Sequence, residues 1–201
     1  MEINFADVIG QEEVKQRLTQ LVQSNRVPHA LLFCGPQGCG KMALAMAFAR
    51  NLLISSSVSP ENSEAMLRNW EHPDLHFTYP TIKLPGMSSE HQPVSSEFAM
   101  GATTQQAIIT GAESDEFSKQ LALKSSQGGY KVSIIWLPER MNLTSANKLL
   151  KLLEEPSQGT IFLMVSEEPE KLLETIISRT QRIDVKRIDD DSIERALMER
   201  R

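Results

Sequence analysis

The stretch from Ala30 to Ala49 restricts the possible folds more than any other part of the chain. Ala30-Leu31-Leu32-Phe33-Cys34 is wholly apolar and short, as suits a strand covered on both faces of a parallel sheet. It runs into Gly35-Pro36-Gln37-Gly38-Cys39-Gly40-Lys41 and then into Met42-Ala43-Leu44-Ala45-Met46-Ala47-Phe48-Ala49, a run of strong helix formers. The order is therefore strand, glycine loop, helix. The loop satisfies the G-x-x-x-x-G-K pattern of a P-loop, in which backbone N–H groups at a helix N-terminus cradle phosphate oxygens and a lysine adds a point charge. Gly35, Gly38, Gly40 and Lys41 are the candidate phosphate-binding residues.

The rest of the chain continues the alternation. Gln11 to about Ser24 carries Val14, Leu18, Leu21 and Val22 at helical spacing. From Thr78 to Gly101, prolines, Gly86 and serines among scattered apolar residues suggest a long surface loop. An amphipathic stretch from Ser114 to Ser126 and a Gln127-Gly128-Gly129 turn lead to a strand over Lys131–Trp136. Asn142 is placed to cap a helix with Leu143, Ala146, Leu149, Leu150 and Leu153 on one face, ended by Pro156. Thr160–Val165 reads as a further strand, Pro169–Glu174 as a short helical piece and Arg182–Val185 as a last strand. Strands and helices in this sequence imply an α/β fold, a parallel sheet with helices on both faces.

A chain of 201 residues, 40% of them hydrophobic before glycine is counted, buries a real core and fits one domain plus a fragment. Its net charge of −5 argues against autonomous tight binding to nucleic acid. Cys34 and Cys39 have no histidine or third cysteine near them in sequence, so no zinc site or disulfide framework is legible. His29, His72, His76 and His91 show no metal or triad spacing and read as surface or packing residues. No signal-like or membrane-length apolar run is present, and the expectation is a cytoplasmic protein.

The P-loop lacks what hydrolysis needs. The position after Lys41 calls for a Ser or Thr hydroxyl on Mg²⁺ and holds Met42, whose thioether is a poor ligand for a hard cation. A carboxylate is needed at the end of an apolar strand to hold the metal and orient water. Here that strand ends in Trp136-Leu137-Pro138, and Glu139 comes several ångströms too late at ~3.3 Å per residue. Trp136 reads as core or interface packing. Both losses remove oxygen ligands from one ion, so the expectation is a nucleotide-binding fold without its own metal site or ATP hydrolysis. No cofactor is required, and residual ATP or phosphate binding without Mg²⁺ remains open.

Asp7-Val8-Ile9-Gly10-Gln11, the loop at Gly35–Lys41, His72-Pro73-Asp74-Leu75, Gly128–Val132, Asn147–Pro156 and Ser178-Arg179-Thr180 together resemble the bacterial DNA polymerase III clamp-loader ATPases. The resemblance runs from about Asp7 to the last residue and is weakest over Thr78–Ile109. It implies a P-loop AAA+ base domain over residues 1–187, and the start of a truncated helical lid over 188–201. Among these proteins it is nearest the stationary, usually hydrolysis-incompetent member. The implied catalytic contribution is an arginine finger, Arg179, with Ser178 beside it, reaching in trans into a neighbouring ATPase subunit's site. The implied partners are the other clamp-loader subunits, both the motor ATPases and delta. The sliding clamp and primed DNA are reached through the complex, and no membrane is involved. Thr180 stands where relatives commonly have cysteine, Ile54–Trp70 lacks the four-cysteine zinc module of many relatives, and Ser166-Glu167-Glu168-Pro169 lacks a motor subunit's usual Thr or Asn. A second reading is an autonomous P-loop ATPase or nucleotide kinase with an atypical metal site using Asp74 or Glu139.

Overall fold

The computed structural model describes residues 3–82, 92–93, 108–110, 119, 125–126 and 128–199. The strands are β1 (Ala30–Cys34), β2 (Leu75–Thr78), β3 (Thr81–Ile82), β4 (Gln92–Pro93), β5 (Lys131–Trp136), β6 (Thr160–Ser166) and β7 (Gln181–Asp184). Five of them form one parallel sheet in the order β2–β5–β6–β1–β7, while β3 and β4 pair as a separate antiparallel ribbon. Burial follows position in the sheet. The inner strands β1 and β6 are buried at every residue, whereas the edge strands β2 and β7 bury only some.

The helices are α1 (Glu12–Gln23), α2 (Lys41–Ser56), α3 (Pro60–Leu67), α4 (Leu143–Glu154), α5 (Glu174–Ile177) and α6 (Asp190–Glu199). Alternation along the strands divides the core into two layers. Leu31, Phe33, Leu163 and Val165 face α1, α2 and α3, while Leu32, Cys34, Phe162 and Met164 face α4 and α5. The sheet thus carries helices on both faces, as its apolar pattern implies.

The helix α3 and the strands β2, β3 and β4 escape the sequence reading. Residues 60–67 form α3, which starts with Pro60 at its first turn and buries only Ser63 and Leu67, too few for a visible stripe. The long loop expected over Thr78–Gly101 is interrupted, because Thr78 closes β2 and Thr81–Ile82 pairs with Gln92–Pro93. The amphipathic stretch at Ser114–Ser126 lies largely outside the described residues, as does Gln127.

The cap expected at Asn142 is present, and Asp189 supplies another. The Asn142 side chain accepts from the Ser145 N–H at 2.8 Å, opening α4. Asp189 accepts from the Ser192 N–H and its Oγ, both at 2.8 Å, opening α6; these bonds hold its carboxyl below the usual range. Asn142→Ala should lower stability to chemical denaturation by about 1 kcal/mol, with Asn142→Asp close to the parent.

Candidate functional site

The P-loop forms at the C-terminal edge of the sheet, where β1 feeds α2. Gly40 sits at the helix N-cap with φ 87°, a left-handed conformation that favours glycine, and no side chain caps the helix. The N–H groups of the first turn are thus arranged for an anion. Gly35 has a different reason: a Cβ there would run into the Val185 carbonyl oxygen just beyond β7. Lys41 is buried and folds back, donating from Nζ to the Pro36 carbonyl at 2.6 Å, with the Cys39 Sγ at 3.7 Å. The lysine therefore lies within the loop it is expected to serve.

Gln11 braces the loop from outside, a role sequence reading missed. Its Nε2 donates to the Cys39 carbonyl at 3.1 Å and to the Lys186 carbonyl at 2.6 Å. The second contact spans 175 residues, so no local pattern could signal it.

Beside the loop lies a cavity of about 530 Å³, where Met42, Ala43, Trp136 and Val165 supply carbon surfaces beside Gly38, Gly40, Lys41 and Glu167. Met42 and Trp136 also pack against the core. This environment suits a phosphate on backbone N–H groups better than a divalent cation, which needs several oxygens. Among the described residues no cluster of three or more His, Cys, Asp or Glu side chains has the arrangement of a metal site.

The two carboxylates considered as substitute ligands each accept hydrogen bonds within the fold. Glu139 Oε1 accepts from the backbone N–H groups of Glu167 and Glu168, at 2.8 and 3.1 Å, clamping the turn after β6. Its Oε2 and the Ser166 Oγ are buried without a hydrogen-bond partner among the described residues. Asp74 precedes β2, at the sheet edge opposite the P-loop. It is buried and accepts from Ser125 Oγ at 3.0 Å and the Ser126 N–H at 2.7 Å. Cys34, at the end of β1, is pushed up to about 11, chiefly by burial, so its thiol stays protonated at neutral pH. His72 is also internal, with Nε2 3.2 Å from Ser63 Oγ and Nδ1 accepting from the Asp74 N–H. Burial lowers its pKa, which suits a packing role.

Ser178 and Arg179 lie apart from the P-loop, between α5 and β7. Strand β7 runs parallel to β1, with Leu31 opposite Gln181 and Cys34 opposite Asp184. Arg179 therefore stands at the N-terminal edge of the sheet and Gly35 at the C-terminal edge. At ~3.3 Å per residue the strand alone separates them by roughly 13 Å, and Arg179 is not among the residues lining the cavity beside the P-loop. Its Nη1 donates to the Thr175 carbonyl at 2.9 Å, and its Nη2 lies 2.8 Å from Glu154 Oε1. Ser178 Oγ donates to the same Thr175 carbonyl at 3.1 Å. The Arg179 side chain is 36% exposed, partly accessible to another molecule.

The chain matches the family described as DNA polymerase III, delta subunit, over residues 10–189. It is 31% identical to DNA polymerase III subunit delta' of Bacillus subtilis, covering 94% of this chain and 51% of that protein. It is 30% identical to DNA polymerase III subunit tau of the same organism, covering 94% of this chain and 30% of that one. The chain thus spans about half the length of the first relative and less of the second. In architecture it resembles the crystal structure of a DNA polymerase III gamma subunit-related protein from Thermotoga maritima, with a TM-score of 0.56 at 17% identity, over 91% of this chain and 49% of that one. Its parallel sheet, phosphate loop and helix layers form an α/β fold, and by its match over most of its length the chain belongs to the DNA polymerase III delta-subunit family.

Proposed function

We propose that this chain is the base domain of a non-hydrolysing, stationary clamp-loader subunit, which helps place the sliding clamp on primed DNA and lends Arg179 to a neighbouring ATPase subunit. The carrying observation is that Met42 and Trp136 line the phosphate-loop cavity at the two positions where a hydroxyl and a carboxylate would hold Mg²⁺, with a partly exposed arginine on the opposite sheet edge. Gly35, Gly38, Gly40 and Lys41 hold phosphate without requiring Mg²⁺. Its partners are the motor ATPase subunits and delta, with clamp and DNA reached through the assembly. Residues 1–187 form the base, and 188–201 open a helical lid. An autonomous ATPase or kinase is disfavoured, because Glu139 clamps a turn and Asp74 lies at the wrong edge.

Nucleotide titration tests the site directly. ATP should bind the purified protein with about the same affinity in excess Mg²⁺ as in a chelator, and turnover should stay at trace level. Lys41→Ala should weaken that binding about tenfold or more, as expected for losing a charge-assisted hydrogen bond. Sustained, Lys41-dependent hydrolysis by the purified protein would reverse the reading.

A further inference from the structure

Glu154 is the last residue of α4. The carbonyl end of a helix carries partial negative charge and favours cations in its final turn. Lys151 meets that preference, whereas Glu154 opposes it. Helix stability therefore gives no reason for an acid here. The ion pair with Arg179 gives little more, because both side chains are substantially exposed, at 36% and 49%, and such pairs contribute little to folding.

What the pair does provide is position. Arg179 is anchored from the preceding helix α5 through the Thr175 carbonyl, and from α4 through Glu154. One contact would leave the planar guanidinium free to swing; two, made through different nitrogens, orient its plane. Arginine offers five N–H donors in a fixed fork, so a side chain held in this way keeps donors for an anionic oxygen. Fixing it before it meets a phosphate removes rotamer entropy that would otherwise be lost at the transition state.

We propose that Glu154 is a positioning residue for Arg179, holding the guanidinium at the N-terminal sheet edge in the orientation that meets a neighbouring subunit's nucleotide. The inference rests on the in-trans role of Arg179 proposed above and names the residue on which that role depends.

The test uses the full-length protein assembled with the other loader subunits, and measures steady-state ATP turnover on clamp and primed DNA. Glu154→Ala should lower kcat about tenfold or more while leaving the KM for ATP within about twofold, since misplacing a reacting group chiefly affects the chemical step. Glu154→Gln, which keeps an acceptor at the same place, should recover turnover to within about threefold. Adding Glu154→Ala to Arg179→Ala should produce no further loss, because the two act as a unit. Circular dichroism of each variant should match the parent, and Glu154→Gln carries the comparison if the alanine variant folds poorly. Full turnover in Glu154→Ala beside an impaired Arg179→Ala, or losses that multiply in the double variant, would overturn the positioning role alone. Full turnover in Arg179→Ala would instead remove the in-trans role on which it rests.

Discussion

Arg179→Ala is expected to lower the ATP turnover of the assembled loader by roughly 10³- to 10⁵-fold, the range by which arginine fingers accelerate phosphoryl transfer in general. At about 1.36 kcal/mol per decade this corresponds to roughly 4–7 kcal/mol of lost transition-state stabilisation. The fold should be unaffected. The residue is half-buried, its ion pair with Glu154 lies near the surface and is worth about 0–1 kcal/mol, and it lies outside the core. Arg179→Lys separates charge from geometry. An ammonium keeps the charge but loses the planar fork, so partial recovery is expected. Two measurements suffice: turnover of the assembled complex, and gel filtration to show that the variant still assembles. A complex that assembles and turns over at the parent rate would remove Arg179 from catalysis.

Phe48→Ala is expected to destabilise the protein by about 3–5 kcal/mol, the usual result of emptying a large aromatic site in a packed interior. Phe48 is fully buried on α2, in the layer shared with Leu31, Phe33, Leu44 and Leu163. Domains retain only about 5–15 kcal/mol in total, so this change removes a large share. At about 2–4 °C per kcal/mol for this chain length, the Tm should fall by roughly 6–20 °C. Because α2 carries the P-loop at its first turn, phosphate binding should weaken at temperatures where Lys41→Ala alone leaves the fold intact. A thermal melt unchanged to within a degree or two would contradict the packing described for α2.

What was legible in the sequence was what is local. The P-loop is one contiguous run, and strand, loop and helix could be read from adjacent residues. Asn142 announced its helix because a cap acts within three residues. The central strands β1 and β6 were visible because covering both faces leaves an unbroken apolar run. β2 was not, since an edge strand with Leu75 buried and Phe77 exposed carries too little contrast. At the site, the lost hydroxyl at Met42 and the lost carboxylate before Leu137 could be seen by position. The bracing of Gln11 against Lys186, the clamp of Glu139 on the turn after β6 and the pairing of Glu154 with Arg179 could not. Each joins residues far apart in the chain, and only the folded sheet brings them together.

Because every strand of the main sheet runs the same way, the molecule has a front, where the glycine loop opens, and a back, where Arg179 stands. Docking the back of one such molecule onto the front of the next is a head-to-tail contact, which generates an open row or a closed ring rather than a symmetric pair. On the function proposed above, a member that lends its arginine at the back and does not hydrolyse at its front would set an end to such a row. It would complete the pocket of the molecule behind it, while an arginine presented at its own front would find no reaction to assist.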